Sequence, residues 1–507
     1  MRLRGTILPC ASGYGSHGAS YGRKSLLGWM STGGSPDDDI VEHAPVLRER
    51  SRDLFMGVPL ATGALKTLRA NVVGPGLRMS PAIDGEALGL TPEQEDAWER
   101  QAEREWRLWA GSSLCDAART CSFAELQGLA LLSALMSGDV FAVLPTIRRP
   151  GSIYDLRVQL IEADRVCDPF PLRLDLDIFA GVEVGKYGEP VAYYVARYHP
   201  GAYGDASTHV MRYSGAAQRM AAQEWKRVPA FGARSGRRNI LHIYEQERPE
   251  QRRGIPVLSP VIESLKQLGR YSDAELMAAV VSGMLTVFVT SDAAPGLPGV
   301  IDTEEQVDAD DLASVELGNG SIVGLAPGEK VEPVNPARPN AGFEGFVLAV
   351  CTQIGAALEV PVEILNKHFT TSYTAARAAF VEFWKAVKTR RSWFAGRFCQ
   401  PVYEEWLAEA VAKGRLVAPG FFEDVAIRAA WSGAQWYGPA QGQINEQVEV
   451  GAATDRVAGG FSTMARETAE LTGESWERVN ADRARELAKT AQPPASVGGQ
   501  SAEQETA

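Results

Sequence analysis

A chain of 507 residues with 45% apolar and 22% charged residues carries enough hydrophobic material for a sizeable core and, at roughly 100–200 residues per domain, for about three cooperating units. Its 51 Lys and Arg against 63 Asp and Glu leave a net charge of −12, which excludes a protein whose main affinity comes from coating nucleic acid with cations. Short repeat peptides, wholly disordered chains and small disulfide scaffolds are excluded too, the last because Cys10, Cys115, Cys121, Cys167, Cys351 and Cys399 are scattered without a C-x-x-C pair.

In chain order, residues 1–43 are rich in Gly and Ser, end near Pro36-Asp-Asp-Asp39, and read as a flexible arm. Met1-Arg-Leu-Arg4 has the charge of a signal-peptide start, but the apolar stretch after it, Thr6 to Ala11, is short and interrupted by Pro9. From Ala44 to Val73, Val46, Leu54, Leu60, Leu65 and Leu68 recur at helical spacing until Gly74-Pro75-Gly76 stops them. Thr91-Pro92-Glu93-Gln94 is an N-cap, a first-turn proline and acidic first-turn residues; it predicts a helix to Trp109 carrying Trp98 and Trp106. Ser122-Phe-Ala-Glu125 is a capping box ahead of the stripe Phe123, Leu126, Leu129, Leu132 and Leu135, which ends at Gly138-Asp139.

The period then shortens. Runs at 140–144, 156–161, 181–186, 191–198 and 241–244, separated by Pro, Gly and Asp, predict an antiparallel sheet and make the first half mixed α+β. Ser259-Pro260 reads as N-cap and first turn of a helix continuing through Val281. The uncharged run Leu276–Ser291 is 16 residues, short of the roughly 20 a membrane span needs. Strand-like pieces follow at 285–290, 321–325 and 330–334, the last two joined by a Pro327-Gly328 turn, and a helix with one apolar face starts near Gly342. Pro361 breaks that helix, 362–372 reads as an irregular connection, and a long helix from Tyr373 to Lys413 is expected to kink at Pro401. Residues 440–490 are charged and helix-prone, and 491–507 form a polar tail expected to be disordered. Two helices of similar length flanking a small β-rich insert describe a helical hairpin with the insert at its tip, and its surplus apolar face calls for neighbours from other subunits.

No enzyme constellation stands out. Gly13-Tyr-Gly-Ser-His-Gly18 fits the G-x-G-x-x-G spacing of a dinucleotide loop, with Asp37–Asp39 about 20 residues on, but lacks the strand before it and the helix after it. Gly181-Val-Glu-Val-Gly-Lys186-Tyr187 falls one residue short of a phosphate loop and has Tyr where a Mg²⁺-ligating hydroxyl is needed. The six histidines are dispersed, so neither a metal nor a cofactor is expected. Gln246 to Gly254 is the densest charge cluster and reads as a solvated loop or an intersubunit ion-pair patch built from Arg248, Glu250, Arg252 and Arg253. The connection Glu363-Ile-Leu-Asn366-Lys367-His368-Phe-Thr370-Thr371-Ser372 is short, polar at its end and set between two helices.

A resemblance rests on several pieces in joint order: Leu47-Arg-Glu-Arg-Ser-Arg-Asp-Leu54, Asn71-Val-Val-Gly-Pro-Gly-Leu77, Ser137-Gly-Asp-Val-Phe141, Gln159-Leu-Ile-Glu-Ala-Asp-Arg165, Val228-Pro-Ala-Phe231 and Arg248-Pro-Glu-Gln-Arg-Arg-Gly-Ile-Pro256, then Pro260 to Val289 and Ala357-Leu-Glu-Val-Pro-Val-Glu363. Together they resemble the portal proteins of tailed bacteriophages, specifically the lambda-like branch, from about Ala44 to Trp436. The resemblance implies a non-enzymatic α+β subunit of a twelve-fold homo-oligomeric ring at one capsid vertex, in the virion and, during assembly, in the host cytoplasm. It implies a wing at 44–257, a first stem helix at 258–284, a clip at 285–340, a second stem helix at 341–359 and a tunnel loop at 360–374. A kinked helix within wing and crown at 375–439 and a helical crown at 440–490 complete the division. Implied partners are the terminase large subunit, head-completion or connector proteins, major capsid and scaffold proteins, and double-stranded DNA passing without sequence specificity. Glu363, Asn366, Lys367, His368, Thr370, Thr371 and Ser372 would then face the channel. The competing readings are a cytoplasmic nucleotide-binding enzyme using the Gly13–Gly18 loop and a different ring-shaped head-tail adaptor.

Overall fold

The computed structural model describes residues 19, 24–29, 31, 33–169, 177–201, 224–283, 287–291, 329–333, 342–369, 372–442 and 446–490. The Gly13–Gly18 loop, the 321–325 strand with its turn, and the tail after residue 490 lie outside them. A short helix, α1 (Pro36–Ile40), is closed by a capping box between Ser35 and Asp38. The expected run from Ala44 to Val73 is two helices, α2 (Ala44–Gly57) and α3 (Pro59–Val72), because Val58 precedes a proline and is held extended at φ −113°.

After β1 (Arg78–Pro81) and the single turn α4 (Gly85–Leu88) come the two capped helices expected from sequence, α5 (Pro92–Ala110) and α6 (Phe123–Ser137), each with both capping-box hydrogen bonds made. On α5, Trp98, Trp106 and Trp109 all point inward. Trp106 meets Phe123, Tyr403, Trp406 and Trp436 edge-on at 5.2–6.0 Å, and this aromatic cluster is the centre of the main core.

The strand pairs of the sheet region are antiparallel among the described residues, with one isolated parallel bridge between Asp116 and Val158. β2 (Asp139–Val143) is the middle strand between β3 (Gln159–Glu162) and the later β8 (Ile240–Tyr244), while β4 (Ile178–Phe179), β5 (Val182–Val184), β6 (Pro190–Ala196) and β7 (Trp225–Pro229) form a separate four-stranded meander. A second, small core of Phe141, Ile161, Val166, Val182, Tyr193, Val195, Ala230 and Ile240 joins the two sheets.

Beyond the sheets, a 3-10 turn at Ser259–Val261 leads into α7 (Ile262–Gly283); Leu258, not the expected Ser259, holds the cap position, and the Ser259 hydroxyl is buried without a hydrogen-bond partner among the described residues. Strands β9 (Val287–Ser291) and β10 (Glu329–Pro333) leave and re-enter the helical pair as antiparallel partners. The return helix, α8 (Phe343–Leu358), packs on α7 where Tyr271 contacts Phe343 at 5.5 Å and Phe346 at 5.1 Å.

A short helix α9 (Val362–Asn366) occupies the stretch expected to be irregular, because Ile364 and Leu365 are buried and hold it to the core. The long helix is α10 (Tyr373–Phe394) and α11 (Gln400–Ala412), and the expected kink takes the form of a π-helical turn over Ala395–Cys399. Pro401 lacks the N–H that would bond to Arg397, inside that turn, and its ring crowds the same carbonyl, so the ladder widens there. After α12 (Val425–Trp431), β11 (Ala434–Tyr437) pairs with β1, and three helices finish the described chain: α13 (Glu446–Ala458), α14 (Met464–Thr472) and α15 (Trp476–Thr490). No helix among the described residues is long and apolar enough to cross a membrane.

Candidate functional site

The turn between α8 and α10 is built by two left-handed residues. Glu359 (φ 58°) ends α8, where Val360 N–H donates to Gly355 O at 2.9 Å; Lys367 (φ 52°) ends α9, where His368 N–H donates to Glu363 O at 3.0 Å. With Ile364 and Leu365 buried beneath, Asn366, Lys367, His368 and Phe369 are pushed to the surface, and Phe369 is 62% exposed. Ser372 caps α10 by accepting from Ala375 N–H at 3.4 Å. The structure thus gathers Glu363, Asn366, Lys367 and His368 on one turn and gives Ser372 a capping position; Thr370 and Thr371 lie outside the described residues. A reading guided by polarity passed over Phe369, whose signal was an apolar residue inside a polar run. Behind the turn, Arg390 ties its frame together, 3.1 Å from Glu359 and 3.6 Å from Glu245 at the end of β8.

The Arg248–Arg253 turn divides into two roles. Arg248 reaches Asp39 at 2.6 Å and Gly34 O at 3.1 Å, and Arg252 pairs with Asp37 while its guanidinium lies 4.2 Å from the Phe179 ring of β4, so both strap α1 to the turn after β8 within one chain. Glu250 is exposed in a left-handed turn conformation, φ 63°. Arg253, expected in the same charge patch, lies in the interior of the single chain. It is 1% exposed and spends its donors on Asp139 at 2.6 and 3.2 Å and on the carbonyls of Ala163, Val166 and Ala180 at 2.6–2.8 Å.

Asp139 is the centre of a buried charge node. Arg48 of α2 lies 3.6 Å away, His242 of β8 at 3.2 Å, and Gly254 N–H donates to it at 3.2 Å. Burial alone would raise the Asp139 carboxyl, but the Arg253 and Arg48 guanidiniums hold it well below the usual carboxylate range. Burial pushes His242 down against the pull of Asp139, and burial together with repulsion from Arg253 lowers Arg48 to about 10. Next to the node, Arg52 pairs with Glu162 at 3.2 Å and with Asp164, and His199 stands 3.5 Å from both carboxylates. Glu162, Asp164 and His199 are close enough to chelate a cation, but Arg52 already pairs with both carboxylates and Arg48 stands 3.7 Å from Asp164, so the three groups sit within an ion-pair cluster.

The node gathers four separated stretches of sequence: 47–54 through Arg48 and Arg52, 137–141 through Gly138 and Asp139, 159–165 through Glu162 and Asp164, and 248–256 through Arg253 and Gly254. Their joint presence has a backbone reason as well. Gly138 (φ 90°) and Gly254 face each other so closely that a Cβ on either would strike the other's carbonyl. The stretch 71–77 is fixed separately: the buried Gln127 side chain accepts from Leu77 N–H at 2.5 Å and donates to Leu77 O at 3.2 Å.

A family model described as phage portal protein, lambda family, matches residues 22–391, which include every part of this node and the α8–α10 turn. The chain belongs to that family. The chain is 24% identical over 435 residues to a probable portal protein of Halomonas phage phiHAP-1, a match that covers 84% of this chain and 79% of that protein. Among solved structures, a chain in the neck of the native GTA particle matches with a TM-score of 0.46 and 13% identity, covering 85% of this chain and 93% of that one. A chain in the virion of the native gene transfer agent particle matches with a TM-score of 0.44 and 15% identity over the same shares. That family is structural rather than enzymatic. The three C-terminal helices lie beyond the span of the family model.

Proposed function

We propose that this portal protein assembles as a closed ring of twelve copies at a capsid vertex and encloses a channel through which double-stranded DNA is packaged and ejected. The match to the lambda-family model across residues 22–391 carries the reading. The exposed apolar residues of the hairpin support it: Leu276, Met277 and Val280 on α7 and Phe346 and Leu348 on α8 are 46–65% exposed in one chain, as expected of helices that neighbours cover in a ring.

In this reading α7 and α8 are the stem, β9 and β10 begin and end the clip that meets the terminase large subunit and later the head-completion or connector proteins, and the 44–257 region is the wing facing capsid and scaffold proteins. The turn carrying Glu363, Asn366, Lys367, His368, Thr370, Thr371 and Ser372 faces the channel. A net charge of −12 per chain repels phosphates while Lys367 and His368 offer sparse, exchangeable contacts, so DNA slides rather than sticks. ATP hydrolysis belongs to the terminase.

Light scattering with negative-stain imaging tests the assembly. Twelve copies of 54.8 kDa predict an annular particle of about 660 kDa. A monomer or dimer at high concentration with no annular particles at any salt concentration refutes the ring. Lys367→Ala/His368→Ala should leave the ring intact and slow DNA packaging; an unchanged packaging rate removes the turn from the channel.

A further inference from the structure

The C-terminal helices α13, α14 and α15 bury little of themselves. Of their residues only Ala453 and Glu467 are buried, none on α15, while Val448, Val450, Met464 and Leu487 are 49–59% exposed and Phe461, in the loop between α13 and α14, is 85% exposed. Between elements their closest packing is with one another, and the backbone at Gly473, between α14 and α15, also packs on Gly438 and Ala440 of the body. Within the group, Arg456 of α13 grips Glu467 of α14 through two hydrogen bonds of 2.9 and 2.6 Å, so the helices hold together as a unit.

Charge joins this unit to the body. Arg377 of α10 is 3.8 Å from Glu449, Lys388 of α10 is 3.1 Å from Glu470, and Arg78 of β1 pairs with Glu474. In all three the body supplies the cation and the unit the carboxylate, and all three cations are 45–53% exposed. Two cavities run along the same seam. One of about 420 Å³ lies between α10 and the α13–α14 pair, lined by Arg377, Trp384, Lys388, Glu449 and Glu470; one of about 680 Å³ lies between α5 and α15, lined by Glu99, Arg104, Tyr437, Glu477 and Arg485. A protein interior is close-packed; a polar seam with open space on both sides resembles an interface between separable parts. The chain on the body side of the seam is anchored, since Arg391 donates to Pro439 O at 2.9 Å, which sets the pivot after that residue.

We propose that residues 446–490 form a releasable three-helix unit, latched to the body by the one-directional charge pairs Arg377–Glu449, Lys388–Glu470 and Arg78–Glu474, with ionic strength setting how much of it is released. The latch is a property of the single chain and stands apart from the ring.

Hydrogen exchange of the full chain tests it, with α6 as the internal reference for an intact fold. Raising NaCl from about 0.1 to about 1 M cuts the screening length from about 10 to about 3 Å, close to the pair separations, and should speed exchange across 446–490 about five-fold while α6 stays unchanged. Lys388→Glu should produce the same acceleration at low salt, and Lys388→Glu/Glu470→Lys should reverse it. Exchange across 446–490 that ignores salt overturns the latch, as does a double variant no slower than the single one. If Lys388→Glu disturbs α6, the wild-type salt series and Arg78→Glu, which lies on a different element, decide the matter by the same criterion.

Discussion

Two of the places where a cation meets a carboxylate in this molecule have opposite consequences. At the Asp139 node both partners are dry, Asp139 at 0% and Arg253 at 1% exposure, and every part of the surroundings is protein. At the C-terminal seam the cations are about half exposed and water competes for each pair. The lesson is that the number of ion pairs says little about cohesion. A buried pair is expensive to assemble and more expensive to break, because removing one charge strands the other, whereas an exposed pair is worth little alone and weakens with salt. The node therefore locks α2, β2, β8 and the Arg253 turn into one body, and the seam leaves the last three helices loosely held.

The sharpest way to break this contrast is Asp139→Ala. It strands Arg48 and Arg253 in the core and should cost about 3–5 kcal/mol, read as a lower urea midpoint; a loss below about 1 kcal/mol would mean that the node is no more cohesive than the seam. Gly254→Ala tests the backbone part of the same node. With its Cβ directed at the Gly138 carbonyl, it should cost about 2–3 kcal/mol by the same measurement.

Glu99 adds a pH arm on the seam side. Burial raises its carboxyl to about 7, opposed by the Ile83 N–H it accepts and reinforced by Glu95, Asp96 and Glu477. The folded state therefore takes up a proton before the unfolded state does, and stability should rise as pH falls from about 7 towards 4.5, then level off. Glu99→Gln keeps an acceptor for Ile83 and should flatten that profile, gaining about 1 kcal/mol at pH 8; a variant with the wild-type pH profile would remove Glu99 as its source. The smallest effect belongs to Lys388→Glu, under about 1 kcal/mol in global unfolding, since the latch acts on the position of the unit and not on the core. A larger loss would show that the seam carries real cohesion.

Much of the local architecture was legible because it is written in adjacent residues. The caps at Thr91 and Ser122, the stop at Gly138 and the interruption near Pro401 each follow from a side chain acting on its own backbone within a few positions; the break at Pro59, of the same kind, was passed over. The β1–β11 pair was not legible, since Arg78 and Tyr437 are distant in sequence and each run is only four residues long. Nor was α9, where a polar surface masked the two buried anchors Ile364 and Leu365. Of the candidate site, the turn was found as a segment, but Phe369 was missed. In the Arg248–Arg253 cluster one density of charge contained two fates that only burial separates.

Sequence by itself determined most of the longer helices, the caps at Thr91 and Ser122, the order of those elements and, through stretches in fixed order, the family. Those properties depend on short-range sterics and hydrogen bonding, or on residues that must occur together. Only the tertiary structure decided why they must. Arg48, Asp139, Asp164 and Arg253, scattered over more than 200 positions, converge on one dry point, and Gly138 and Gly254 let their backbones touch there. Whether a charge locks or merely latches depends on the water left around it, and that is fixed by the packing of distant segments.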